Sequence, residues 1–310
     1  MRVAVVGLGI QGRKRRAIAK GDVTATIDPE VPEAEYRRIE DVPLDRYDAA
    51  LVCTPDRPKT VLLTYLLGHG KHVLVEKPLI SNDEAELQEL ARLSRERGAV
   101  CYTAYNHRFE PHLASVKALV DAGRIGQIYQ ARFFYGNGTA RDVRNSPWRD
   151  KGLGVIPDLA SHLLDLMLFY FGPTAGDPVL WAHERFENRS CDYFLAGFPG
   201  ARPMIRFEGT LLSWRNSFFM DLIGESGSIH VTSLCKWGPT SLIVRDRKLP
   251  SGRPHENTHT LEQPDPTWAL EYAYFSQLCA ERRGTNIEND IWINRALSAI
   301  ARQAAEDVVA

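Results

Sequence analysis

Cysteine is scarce and scattered in this chain. Cys53, Cys101, Cys191, Cys235 and Cys279 are odd in number, far apart, and form no CxxC pair. This excludes a disulfide framework and a cysteine zinc site, and reads as reduced thiols in a cytosolic protein. A surplus of one charge is also missing: Lys and Arg number 38 against 39 Asp and Glu, for a formal net charge of −1. That balance gives neither nucleic acid nor an anionic membrane a reason to bind. Long apolar runs are absent as well. The most apolar stretch, Leu159 to Phe171, contains His162 and Asp165 and is too short to span a bilayer. The opening residues MRVAVVGLGIQG lack the h-region and cleavage site of a signal peptide, so a cytoplasmic location is expected. No Gly/Ser linker, repeat or low-complexity tract interrupts the chain. What is present is an ordinary globular composition over 310 residues, 44% hydrophobic and 25% charged, enough for about two domains.

The first hundred residues alternate short strands with helices. Strands are expected at Arg2–Val6, Val23–Ile27, Ala49–Cys53, His72–Val75 and Val100–Thr103, and helices at 10–20, 60–67 and 82–97, the last capped by Ser81 or Asn82. This rhythm predicts a doubly wound parallel sheet. After about residue 105 it changes. Helices are expected at about 112–123 and 156–171, and strands at 128–135, 179–186, 193–198, 204–212, 218–223, 228–232 and 242–245. Two helices, about 267–283 and 288–309, finish the chain. Consecutive strands predict an antiparallel sheet. The expected fold is therefore α/β: a Rossmann domain over 1–105, then an α+β domain over 106–310 with an open, mostly antiparallel sheet for substrate binding and oligomerisation.

Gly7-Leu8-Gly9-Ile10-Gln11-Gly12 is a GxGxxG. It follows a strand, opens a helix, and has an acid, Asp28, at the end of the next strand. That context makes it a dinucleotide fingerprint. Gly7 permits the turn, Gly9 lets a pyrophosphate approach the backbone, and Gly12 lets the helix pack on the sheet. A carboxylate at Asp28 suits the adenosine ribose hydroxyls and repels a 2′-phosphate, which favours NAD over NADP. Arg13-Lys14-Arg15-Arg16 follows at once. A solvated helix face is the preferred reading, ahead of a screen for the cofactor phosphates.

Two further groups carry chemistry. Glu76-Lys77-Pro78 ends a parallel strand, where doubly wound folds bind ligands. A nicotinamide's positive charge there would lower the lysine's pKa towards a useful range. Asp158, His162 and Asp165 are spaced by four and three residues, which places them on one helix face. An acid beside a histidine orients it and supports its charge, as a general base needs. The same trio could bind a divalent metal, a reading ranked lower because no further ligand motif accompanies it. A hydrogen-bonded polar stripe is the structural alternative.

With these features together the chain resembles the Gfo/Idh/MocA family (glucose–fructose oxidoreductase, inositol dehydrogenase and relatives). The resemblance rests on Gly7–Gly12, Cys53-Thr54-Pro55, Glu76-Lys77-Pro78, Tyr105-Asn106-His107-Arg108-Phe109, Trp148-Arg149, Asp158-x-x-x-His162-x-x-Asp165 and Gly224-Glu225-Ser226-Gly227-Ser228. It implies hydride transfer between NAD and a hydroxyl carbon of a sugar, cyclitol or nucleotide sugar, with Lys77, His162 and Asp158 catalytic. It implies cofactor contacts at Gly7, Gly9, Ile10, Gln11, Gly12, Asp28, Thr54, Pro55, Glu76 and Lys77. Substrate contacts are implied at Lys77, Asn106, Arg108, Trp148, Arg149, Asp158 and His162. Two departures are visible: Gly152-Leu153-Gly154 stands where the family often has three glycines, and Ala160 where it often has Gly. The short segment between Asp28 and Ala49 leaves room for only a reduced second Rossmann helix.

Two rival functions stand beside this one: a non-catalytic NAD/sugar sensor, against which the intact Lys77, Asp158 and His162 argue, and an NAD(P)H reductase of a non-sugar substrate. Apolar residues on both alternations of several later strands, for example Phe218 and Phe219, predict an exposed face and a homodimer or homotetramer. The segment from Tyr135 to Arg149, with Arg141, Arg144 and Arg149 able to grip a phosphate, suits a sugar-type substrate.

Overall fold

The computed structural model describes residues 1–55, 59–81, 83–146, 149–151 and 153–306. Asn82, Trp148 and Gly152, named above, lie outside the described residues. The chain forms two compact units, each discontinuous: Met1–Asn106 with Pro266–Asn294, and His107–Asp265 with Arg295–Ala310. The first crossing between them falls between Asn106 and His107. Pro266–Asn294, expected in the second domain, belongs to the first unit.

In the first unit the order is β1 (Val3–Val6), α1 (Ile10–Ala19), β2 (Val23–Ile27), β3 (Ala49–Val52), α2 (Lys59–Gly68), β4 (His72–Glu76), α3 (Glu84–Arg97) and β5 (Cys101–Ala104). The strands form one parallel sheet, β2-β1-β3-β4-β5. β1 is central, paired on both edges, and all four of its residues are buried, so it reads as an unbroken apolar run. Between β2 and β3 stand only two 3₁₀ turns, Ile39–Asp41 and Leu44–Arg46, so the second Rossmann helix is indeed reduced. α3 is capped by Asp83, whose carboxylate accepts the Ala85 N–H at 2.9 Å, not by Ser81. Its other end stops at Gly98, left-handed at φ +58°, because only a residue without Cβ turns there cheaply.

The second unit carries α4 (Pro111–Asp121), β6 (Ile128–Gly136), α5 (Ala140–Arg144), a π-helical turn over Ile156–Ala160, α6 (Ser161–Phe171), β7 (Val179–Glu184), β8 (Tyr193–Phe198), β9 (Met204–Thr210), β10 (Ser217–Gly224), β11 (Gly227–Thr232), β12 (Thr240–Asp246) and β13 (His255–Leu261). Two helices, α7 (Thr267–Glu281) and α8 (Ile287–Glu306), follow; α7 belongs to the first unit, and α8 passes from the first into the second. The eight strands form one sheet, β13-β12-β11-β10-β6-β9-β8-β7. All its pairings are antiparallel except β6 with β9. On β10, Phe218, Met220 and Leu222 are buried while Phe219, Asp221 and Ile223 are half-buried on the other face, the alternation a half-covered sheet requires.

That outer face is mixed. Phe134 and Phe219 stack on it at 4.7 Å, next to Arg132 and Asp221 in the same register. The expectation of apolar residues on both faces therefore holds for the phenylalanines, but charges intervene. β13 and the short α5 escaped the sequence reading. The residues of β13, HENTHTL, are exposed along nearly their whole length, so no alternation marks the strand.

Candidate active site

In the first unit the glycine loop has the geometry its spacing implies. Gly7 sits at φ +89°, and a Cβ there would lie 2.8 Å from the Cys53 carbonyl oxygen. A Cβ on Gly12 would fall 1.7 Å from the Gly7 carbonyl oxygen, so strand and helix touch backbone to backbone. Around Gly9 the opposite holds: a Cβ would meet nothing within 4 Å. α1 starts there with no capping side chain and no acid in its first turn, and Ile10 is 87% exposed. Open space beside bare helix N–H groups is what a pyrophosphate needs. Nearby, the buried Thr54 hydroxyl has no hydrogen-bond partner among the described residues. The residues present therefore fit a dinucleotide.

Asp28 leaves β2 and turns its carboxylate back towards this loop. Oδ2 accepts the Leu8 N–H at 2.7 Å, and Oδ1 accepts the Glu30 and Val31 N–H groups at 2.9 and 3.0 Å. Partial burial works against the carboxylate, but these three N–H donors outweigh it and hold Asp28 below the ordinary range. The acid thus braces the loop.

Arg13–Arg16 do not form one solvated face. Arg13 is exposed and pairs with Glu33 at 2.8 Å, but Arg15 is 1% exposed. Arg15 Nε donates to Glu76 Oε1 and Nη2 to Glu271 Oε2, both at 2.6 Å, and the guanidinium lies over the Trp268 ring. Burial opposes its charge, but the two carboxylates more than offset that and hold it protonated. Nothing in a run of four cations marks the third as the buried one; its partner on α7 is 256 residues away. The half-buried Lys77 consequently stands in a braced turn. Arg15 holds Glu76 before it, the buried Lys59 donates to the Pro78 carbonyl at 2.8 Å, and Asn294 Nδ2 donates to the Leu79 carbonyl at 2.6 Å. Asn106 Nδ2 donates to the Thr267 hydroxyl at 2.8 Å, so this implied substrate contact already has a structural partner. Pro55 is exposed just past the end of β3.

In the second unit the Asp/His trio divides. Asp158 lies in the π turn, half-exposed, with its Oδ2 3.8 Å from Arg149 Nη2. π turns interrupt helices most often at functional sites. His162, 7% exposed, lies on α6 one turn on, and Asp165 is fully buried. Asp165 takes a two-pronged bond from Arg108, Nε to Oδ2 at 2.8 Å and Nη2 to Oδ1 at 2.6 Å. Burial pushes the Asp165 carboxyl up, and Arg108 offsets only part of this. Arg108 is thus clasped to α6 instead of extended with its fork open. Arg141 and Arg144 are exposed on α5.

His162 has neighbours the sequence reading did not name. Its ring stacks on His107, centroids 4.2 Å apart and planes 18° apart, and Tyr135 lies 5.8 Å away. Burial, and then the charge of Asp158, push the Tyr135 phenol up, so it stays neutral. His107 sits inside the Tyr105–Phe109 motif, which was the available signal. Tyr135 heads the segment to Arg149 that the sequence reading gave to the substrate, whereas Lys236, which reaches both His107 and Tyr135, had no signal. The described residues contain no group of three or more metal-ligating side chains, and no helix among them is long and apolar enough to cross a membrane.

Comparison with known proteins agrees with this geometry. Residues 1–105 match the model of an oxidoreductase family with an NAD-binding Rossmann fold, and residues 113–230 match the GFO/IDH/MocA C-terminal domain. The scyllo-inositol 2-dehydrogenase (NAD(+)) of Bacillus subtilis is 26% identical over 279 residues, 84% of this chain and 74% of that one. Against other relatives the match is shorter, and the chain spans about half of their length. The scyllo-inositol 2-dehydrogenase (NADP(+)) of the same organism is 26% identical over 176 residues, 55% of this chain and 48% of the relative. Among solved structures, levoglucosan dehydrogenase in complex with NADH superposes with a TM-score of 0.82 at 19% identity, over 99% of this chain and 97% of that one.

Proposed function

Because the chain belongs to the Gfo/Idh/MocA family of NAD-binding oxidoreductases, we propose that it moves a hydride between NAD and a hydroxyl-bearing carbon of a sugar, cyclitol or nucleotide sugar. The observation that carries this reading is a nucleotide loop with open space at Gly9 in a chain whose other unit presents a buried, ring-stacked His162. When bound, NAD supplies the hydride chemistry. The chain binds, orients and moves the proton. Gly7, Gly9, Ile10, Gln11 and Gly12 take the phosphates, Asp28 takes the ribose hydroxyls and disfavours a 2′-phosphate, and Thr54, Pro55, Glu76 and Lys77 complete the cofactor side. His162 and Lys77 form the acid/base pair for the substrate hydroxyl, with Asp158 supporting the charge on the histidine. Asn106, Arg108, Trp148 and Arg149 belong to the substrate side. The dehydrogenase and levoglucosan names among its relatives favour a polyhydroxylated substrate. The outer sheet face, with Phe134 on Phe219, favours a homodimer or homotetramer, and the reduced cysteines a cytoplasmic setting.

The test is turnover of a panel of free sugars, inositols and nucleotide sugars with NAD, followed by NADH absorbance, in the wild type and in Lys77→Met and His162→Asn. Each variant is expected to lower kcat by ~10²-fold or more, with NAD affinity little changed. Near-normal turnover in both variants removes the pair from the mechanism. Binding of no sugar of any kind overturns the substrate class.

A further inference from the structure

The turn between β11 and β12 projects Lys236 Nζ to 3.3 Å from His107 Nε2 and 3.4 Å from the Tyr135 hydroxyl. The ammonium also lies over the Trp237 ring at 4.7 Å, and Trp237 packs on Tyr135 at 5.6 Å. The lysine comes from 129 residues beyond His107. We propose that Lys236 is a positioning residue for the reaction: it holds His107 as an uncharged acceptor stacked on His162, and so keeps His162 uncharged and ready to take the substrate's proton. This rests on the reading of His162 as an acid/base group.

A lysine ammonium has three donors and no acceptor, so the His107 nitrogen it faces must carry a lone pair; the tautomer follows from that geometry. Protonating His107 at that nitrogen would set two cations 3.3 Å apart, which is unfavourable at any protein dielectric. His107 is 2% exposed, so water does little to relieve the repulsion. Of the two stacked rings, His162 is then the one left to take a proton, and a nearby cation disfavours its charged form.

Other ionisable groups bear on the stack. Asp158, in the π turn four residues before His162, lies 3.8 Å from Arg149. Asp165 is matched by Arg108. Glu110, at the head of α4, spends its carboxyl on the Leu113 and Cys235 N–H groups and is itself pushed up by burial. Tyr135 stays neutral. Asp265 sends its charge to Cys235, next to Lys236. Lys236 contacts the His107 ring directly. Its residue is exposed overall, so water screens it and the expected effect is modest, about half a pH unit.

The experiment is an NMR pH titration of the histidine ring signals in the cofactor-free protein, with the His162 signal identified by its loss in His162→Asn. Lys236→Met is expected to raise the His162 midpoint by about half a unit. It should also move the acid limb of kcat/KM upwards with it, with kcat on the high-pH plateau and NAD affinity close to wild type. Lys236→Arg keeps both a donor and a charge, and is expected to keep the wild-type midpoint. An unchanged midpoint in Lys236→Met overturns the inference, as does a loss of activity that is equal at every pH, which would mark a purely structural lysine or a substrate contact. Should His162→Asn turn over normally, the acid/base reading falls, while the ring titration still decides whether Lys236 acts on His162.

Discussion

Each unit fastens its reactive segment with one arginine, and the two clasps differ in kind. In the first, Arg15 is almost wholly buried and faces two carboxylates, Glu76 and Glu271, one of them the immediate neighbour of Lys77. In the second, Arg108 is 22% exposed and faces one fully buried carboxylate, Asp165, on the helix that carries His162. Arg108 itself follows His107 in the chain. In both cases a neighbour of a proposed acid/base residue takes the structural bond: Glu76 beside Lys77, and Asp165 on the helix of His162. The difference lies in what each arginine leaves behind. Removing Arg15 strands two anions carried by two elements, β4 and α7, whereas removing Arg108 strands one acid that can take up a proton.

The largest expected effect follows from that asymmetry. Arg15→Met should destabilise the protein by about 3–5 kcal/mol, the cost of leaving buried charge unpaired. It should also loosen the turn at Lys77, so that kcat falls more than NAD affinity; chemical denaturation and NAD titration read the two separately. A cost under about 1 kcal/mol would show that the triad is relaxed by water. Arg108→Met should cost less, and the cost should depend on pH. The Asp165 carboxyl is already pushed up, so its stabilising contribution is present when it is protonated and lost as pH rises. The deficit of Arg108→Met is therefore expected to be greatest near neutrality and to shrink towards pH ~4, the unfolded value of an aspartate. A deficit independent of pH would mean that lost packing on Phe169, and not charge, separates the variants.

The glycine loop sharpens the comparison further, since its constraints are steric. Gly12→Ala meets backbone at 1.7 Å and should cost about 1–3 kcal/mol as well as NAD binding. Gly9→Ala meets nothing within 4 Å, so it should fold like the wild type and lose affinity for NAD alone. Equal thermal stability of the two would contradict the packing described here. The smallest effect is expected at Asp28. Its carboxyl is held down, so its contribution is present above pH ~3.9 and lost as pH falls through the folded value. Asp28→Asn should be less stable than wild type at neutral pH, with the gap closing in acid, in the same direction as for Arg108→Met.

How much of this was legible beforehand depended on distance along the chain. The loop, its helix and Asp28 lie within 28 residues, and strand–turn–helix geometry makes each glycine's task local, so the steric need for Gly7 and Gly12 follows from spacing. Lys77 was visible as a strand-end lysine, and His162 as part of a helical pattern. The pattern did not show that Asp158 would enter a π turn while Asp165 turned to Arg108, because a regular period cannot foresee where the helix widens. β13 was missed since hydrophobic alternation is the signal for strands, and an exposed edge strand has none.

By itself the sequence determined the parallel sheet, the antiparallel sheet and the nucleotide loop, because propensity, periodicity and glycine sterics act between near neighbours. Only the tertiary structure decided which of four adjacent cations is buried, which carboxylate is paired, and which lysine stands against His107. Those outcomes depend on Glu271, Arg108 and Lys236 arriving from remote parts of the chain, and the charge of a buried group is settled by what is packed around it, not by its neighbours in the chain.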